Sequence, residues 1–435
     1  MLLQVRFPGE NHDVKNGPAC HYTGKMEGVM GIPAKRWLYL FTGSIVFFCI
    51  GIVYAWSIFA GMFKDIFPSW TSTALATTFT IVMAFFCLGN FSAGFISKKL
   101  STRAMLAMCA GLIGAGFIGV SLITENTLWL LYLSYGVVGS FGVGITYNTV
   151  LSMVARWFPD KIGAASGTLM MCFAFSTLVL GMGANSLSPI FGWRMIFAGL
   201  AVLMTLVVAV AAMILKLPEN DISMQNTRVP DNRRSFPKSE MTVDEMLKSS
   251  AFWLFFIWGI LLLVAVYAIM GNVKQCVLEL DQTATGIATF SVTLLSICNG
   301  FGRMLLGSLY DRLGRIKTMT LDTSLIIVSS ILMIAAFQVR SVPLMLLGVV
   351  FTGFSYGGVP PTSSAFTVDY FGANNYSMKF GIVTLYIFVG AFGSSLAGII
   401  KDKAGSFRNL FYILILFGIA AFILNLLIGK RRVKD

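Results

Sequence analysis

Twelve apolar runs constrain what this chain can become. They fall at roughly 37–63, 73–97, 103–122, 128–155, 162–187, 194–215, 250–273, 283–310, 318–338, 343–368, 379–400 and 409–429. Crossing a hydrocarbon core takes about 20 helical residues, and each run has that length. In lipid, backbone polar groups must be satisfied within their own segment, so such runs fold as helices. The expected fold class is an all-α membrane protein with twelve transmembrane helices. Composition agrees: 56% of residues are hydrophobic and 12% charged, a balance foreign to soluble globular domains. A soluble enzyme is therefore excluded, and no cofactor is expected. Cys49, Cys87, Cys109, Cys172 and Cys298 lie in apolar runs without CxxC pairs, so they read as packing thiols rather than metal ligands.

The net charge of +13 does not point to nucleic acid, because the basic residues are scattered through short loops. With the N-terminus inside, the cytoplasmic segments hold 24 of the 32 Lys and Arg and the outer loops 7, leaving Arg303. That bias predicts a multi-pass plasma-membrane protein, here read as a monomer, with both termini cytoplasmic. The expected organisation is a mobile tail over 1–35, a six-helix bundle over 36–215, a flexible linker over 216–248, a second bundle over 249–429 and a tail over 430–435. Pro218, Pro230 and Pro237 mark the linker. The halves look related: 213 residues separate Gly94 from Gly307, and the same number separates Phe158 from Phe371. An internal repeat of this kind predicts a binding site between the halves, near the bilayer midplane.

Arg303 is the charge left over. It precedes Asp311 by eight residues, which puts it roughly 12 Å into the membrane at 1.5 Å per residue. Half a core is about 15 Å, so Arg303 is expected near the midplane. A guanidinium there must face water, protein or a ligand. Ser296, Asn299, Arg303, Gly307 and Tyr310 form a small and polar stripe at helical spacing. Arg303 is then either a carboxylate anchor or a structural arginine that snorkels. Asn299, one turn away, either meets the substrate, braces the guanidinium or bridges helices.

Gly307-Ser-Leu-Tyr-Asp311-Arg312-Leu-Gly314-Arg315 resembles the loop signature of the major facilitator superfamily, and Gly94 to Arg103 resembles a degraded copy. The resemblance implies that Gly307, Asp311, Arg312, Gly314 and Arg315 gate the conformational change. A narrower resemblance, to the oxalate/formate antiporter family beside the monocarboxylate transporters, rests on Gly51-Ile-Val-Tyr54-Ala-Trp56-Ser57, Gly142 to Tyr147, Arg156-Trp-Phe-Pro-Asp-Lys161 and Asn299 to Gly307. It implies alternating access, a small organic anion, and Arg303 as the substrate-binding arginine. It also implies a second cation, a lysine in the eleventh helix, where this chain has Ile387. One guanidinium matches one carboxylate through a bidentate fork, so a monocarboxylate is expected.

Helices one, four, seven and ten line the cavity in that superfamily, which ranks Tyr54, Tyr147 and Tyr356 first among the aromatic candidates. Trp56 and Tyr386 are further candidates, and Tyr267 also lies well inside its run. Packing is the competing explanation for each of them. Trp37, Trp70, Trp129 and Trp193 sit near run ends and are expected at the interface. The spans lack histidine, and the acids nearest to them, Asp322 and Asp369, are placed toward the cytoplasmic ends. Anion exchange is therefore expected, with proton symport or a non-transporting anion receptor as alternatives.

Overall fold

The computed structural model describes residues 27–217 and 240–431. It contains twelve helices long and apolar enough to span a bilayer: α1 Lys35–Ala55, α2 Thr77–Ile96, α3 Thr102–Ser121, α4 Leu128–Trp157, α5 Ile162–Phe191, α6 Trp193–Ile214, α7 Ser250–Met270, α8 Thr285–Leu313, α9 Arg315–Val339, α10 Val342–Phe371, α11 Tyr376–Ala404 and α12 Arg408–Ile428. Two large apolar cores form among the described residues. One is built almost entirely from α1–α6 and the other from α7–α12. Many large apolar side chains stay exposed along the outer helices, among them Leu206, Ile331 and Leu416. In lipid such a surface is solvated, not stranded.

The edges of the expected segments move. Helix already begins at Glu27, and the rest of the expected N-terminal tail, residues 1–26, lies outside the described residues, as do 218–239 and 432–435. The end of the expected flexible linker is ordered into a helix, Val243–Lys248. Thr242 accepts from Glu245 N while the Glu245 carboxylate accepts from Thr242 N, a reciprocal cap for two orphan donors. Pro360 and Pro361 lie inside α10, which stays one helix through both. Trp37 and Trp129 are exposed at run ends, but Trp70 and Trp193 are buried. Both join an aromatic cluster with Phe63 and Phe67, so two of the four expected interface anchors are core residues.

The two halves meet most closely at the ends of the helices near the face where α1 starts and α12 finishes, called here the chain-end face. There α5 packs against α8, with Gly163 and Gly307 back to back, and Gly94 of α2 lies against Met378 of α11. The Asp311 carboxylate spans the first contact. It accepts from the main-chain N–H groups of Gly163 (3.0 Å) and Ala164 (2.7 Å). These donors have no partner within α5, being at its N-terminus, where an anion is favoured. Across the second contact, Asn148 of α4 donates to Asn90 of α2 and to the carbonyl of Ser377 on α11 (2.9 Å). Arg36 pairs with Asp160 nearby. The conformation is thus closed on the chain-end face.

Candidate functional site

Arg303 is held inside α8 with 6% of its surface exposed. Its Nε donates to Asn299 Oδ1 one turn away (3.3 Å), and its Nη1 donates across the boundary between the halves to the carbonyl of Met170 on α5 (3.3 Å). The Tyr356 ring lies 5.6 Å from the guanidinium carbon, within cation–π range. All three partners are neutral. Among the described residues no carboxylate forms an ion pair with Arg303. The charge is solvated by dipoles but not cancelled, and its tether to Met170 holds only while α5 and α8 stay together.

A small cavity of about 30 Å³ opens onto this guanidinium. Tyr54, Tyr147, Tyr356 and Tyr386 line it with Arg303. Asn299 is not in the wall; it braces the arginine from behind. Trp56 lies away from the cavity. Its indole N–H donates to the Leu75 carbonyl (2.8 Å) and its ring packs on Tyr135 and Phe63. The reason is local: residues 51–55 form a turn of 3₁₀ helix that continues into the helix starting at Trp56. Residues two apart on a helix face different ways, so Tyr54 and Trp56 cannot share one wall.

Several wall residues escaped the sequence ranking. Tyr267 is one, and its hydroxyl meets that of Tyr356 at 3.2 Å. Phe86, Phe173 and Phe380 give the wall its apolar faces, and Pro360 and Thr384 complete the turns beside it. Thr384 also accepts from Asn90 Nδ2 (3.3 Å), which ties the cavity floor to the α2–α11 contact. Ile387 lies in the wall as well, so the position where the family resemblance implied a lysine presents a branched alkyl group to the cavity.

The loop motif divides its labour. Asp311 caps α5, as described. Gly314 takes a left-handed φ of 78° between α8 and α9, a conformation that suits glycine. Arg315 is buried and donates to Asn425 Oδ1 of α12 (2.9 Å), while Arg312 is exposed. Lys379 is fully buried at the start of α11. It donates to the carbonyls of Phe371 and Gly372 and lies 3.8 Å from Glu240.

Comparison with known proteins agrees with this architecture. A family model of the Major Facilitator Superfamily matches residues 36–337 and again 277–435. The oxalate:formate antiporter of Oxalobacter formigenes is 26% identical over 386 residues, covering 86% of this chain and 87% of that protein. An uncharacterized MFS-type transporter of Escherichia coli K12, YhjX, is 23% identical over 357 residues, covering 82% and 86%. Among solved structures, the transporter FucP in its outward conformation aligns with a TM-score of 0.65 at 16% identity, covering 91% of this chain and 99% of that one. A bacterial homologue of the iron transporter ferroportin aligns with a TM-score of 0.68 at 15% identity, with the same coverage. Family match and fold together place the chain in the Major Facilitator Superfamily of membrane transporters.

Proposed function

We propose that the protein is a secondary transporter of a small monocarboxylate, working by alternating access as an anion exchanger in the plasma membrane with both termini cytoplasmic. The observation that carries this reading is the solitary charge of Arg303 in an aromatic cavity wall. A monoanion cancels it, whereas a dianion leaves one negative charge in a poorly solvating site. Ile387 adds no second cation, although a relative named as an oxalate:formate antiporter is similar along most of the chain. The size of the cavity fits the same reading. A cavity of about 30 Å³ is only about two to three times the least space that holds one water, so the smallest carboxylates need the least rearrangement of the wall.

The exchange cycle follows from the tether. Opening the chain-end face parts α5 from α8 and removes the Met170 carbonyl from Arg303. A bound carboxylate takes over the guanidinium and compensates for that loss; an empty site leaves the charge with fewer partners. Reorientation is then fast only when the site is loaded.

A thermal-shift screen of purified protein against mono- and dicarboxylates tests the anchor. Stabilisation by formate, acetate or pyruvate is expected for the wild type and is abolished by Arg303→Gln. Stabilisation that persists in the variant refutes Arg303 as anchor. Counterflow of labelled pyruvate in proteoliposomes tests exchange, and equally fast uptake with nothing on the far side would sink it.

A further inference from the structure

Asp322 is a buried intramembrane carboxyl that neither the gate nor the anchor uses. It lies seven residues into α9, roughly 10 Å from the helix start at 1.5 Å per residue. It is fully buried, and neither carboxyl oxygen has a hydrogen-bond partner among the described residues. Ser355 Oγ donates to the main-chain carbonyl of Asp322 (3.1 Å) and is the polar side chain beside the carboxyl.

The groups around it bring no countercharge. From α10 come Ser355 and Gly358, and from α8 comes Leu306. From α7, Trp258 donates to the neighbouring Thr323. On α9 itself, Arg315 is two turns away and engaged with Asn425 of α12. Tyr386 of α11 is the titratable side chain within electrostatic reach. Among the described residues no Lys, Arg or His forms an ion pair with Asp322. An isolated carboxylate in such surroundings is far costlier than the neutral acid.

The carboxyl is pressed against the turn of α10 between the cavity-lining residues Tyr356 and Pro360. A Cβ on Gly358 would lie 2.6 Å from Asp322 Oδ2, and one on Gly357 would lie 2.7 Å from Arg303 N. The same turn of α10 therefore separates anchor and acid, and it runs directly into Pro360 and Pro361, which leave two backbone carbonyls without their helical donors. Any bending of α10 at this turn changes the surroundings of Asp322.

We propose that Asp322 is a proton-binding site, its carboxyl neutral in the conformation closed on the chain-end face and giving its proton to water when the α10 turn at Gly358–Pro361 moves to open that face. The idea rests on the alternating-access reading above and adds a second ligand, the proton, to the carboxylate. Acid on the chain-end side favours the closed conformation, and alkali favours opening.

Infrared spectroscopy of purified protein without any carboxylate tests the proton directly, whatever the substrate. The wild type near neutral pH is expected to show the C=O band of a protonated carboxyl, lost in Asp322→Asn and shifted in Asp322→Glu. A wild type without that band overturns the proposal with no variant needed, as does a band that survives Asp322→Asn unchanged. Pyruvate counterflow with the internal pH varied tests the coupling: a dependence is expected in the wild type and lost in Asp322→Asn. The same dependence in both proteins overturns the link to transport. Loss of carboxylate stabilisation in Arg303→Gln with the band intact separates failure of this site from failure of the anchor.

Discussion

Gly163 and Gly307 face each other across the boundary between the halves, and a Cβ on either would fall 2.2 Å from the other's carbonyl oxygen. No side chain fits there without moving α5 from α8, and these two helices also carry the Arg303–Met170 tether. Overpacking a tight contact costs about 1–3 kcal/mol. Gly163→Ala or Gly307→Ala is therefore expected to shift the population toward the conformation open on the chain-end face by roughly 5- to 150-fold. Maleimide labelling of a cysteine placed at Ser377, buried in the α4–α11 contact, reads that shift. Unchanged labelling would show that the glycines do not govern closure.

Asp311 makes the same contact electrostatically. Its two oxygens take main-chain donors at the start of α5, so Asp311→Asn keeps one acceptor and removes the charge. The lost interaction with the helix terminus is worth about 0.3–1 kcal/mol, up to about 2 in a partly buried setting. Labelling at Ser377 should rise by a smaller factor than in Gly163→Ala, and Asp311→Glu should restore part of the protection. An Asp311→Asn variant labelled no faster than wild type would mean that the cap is incidental.

What the sequence discloses follows from how unusual each residue is in its setting. Arg303 is legible because a cation in an apolar run has few explanations, and the spans are legible because lipid tolerates few backbones. Phe86, Phe173 and Ile387 are not legible: an apolar wall residue and an apolar core residue look the same until the helices are packed. Trp56 misleads for the opposite reason, since it shares a motif with Tyr54 but not a face. Asp322 reads as lying toward a helix end, since the apolar run begins at 318; α9 starts at Arg315, and burial depends on packing by α10 that no local pattern records.

Trp56 gives a test that separates wall from scaffold. Its indole bonds the Leu75 carbonyl while its ring sits in the core of the first half. Trp56→Phe removes that bond while the Leu75 carbonyl keeps its place in the helix, a loss of about 0.5–1.5 kcal/mol. Carboxylate affinity, read as the ligand-induced rise in melting temperature, should stay unchanged while the unliganded melting temperature falls. Tyr147→Phe and Tyr356→Phe should change the ligand-induced rise, because both rings face the guanidinium's cavity. The reverse pattern would move Trp56 back into the site.

Ile387 is where charge selectivity should be convertible. Its side chain lies in the same cavity wall as Arg303, and the nearest wall neighbours in sequence, Tyr386 and Thr384, are neutral. A lysine here would be strongly desolvated while the cavity is empty, so Ile387→Lys should lower the melting temperature of the unliganded protein. A dicarboxylate would then meet two cations, and its second carboxylate would no longer be left uncompensated. Charge pairs in buried settings are worth about 2–5 kcal/mol when one partner is otherwise stranded. Oxalate should therefore stabilise Ile387→Lys and leave the wild type unaffected, while formate loses its advantage, since a single negative charge cannot satisfy both Arg303 and the new ammonium. Oxalate stabilising the wild type as strongly as formate does would contradict the one-charge account of the site.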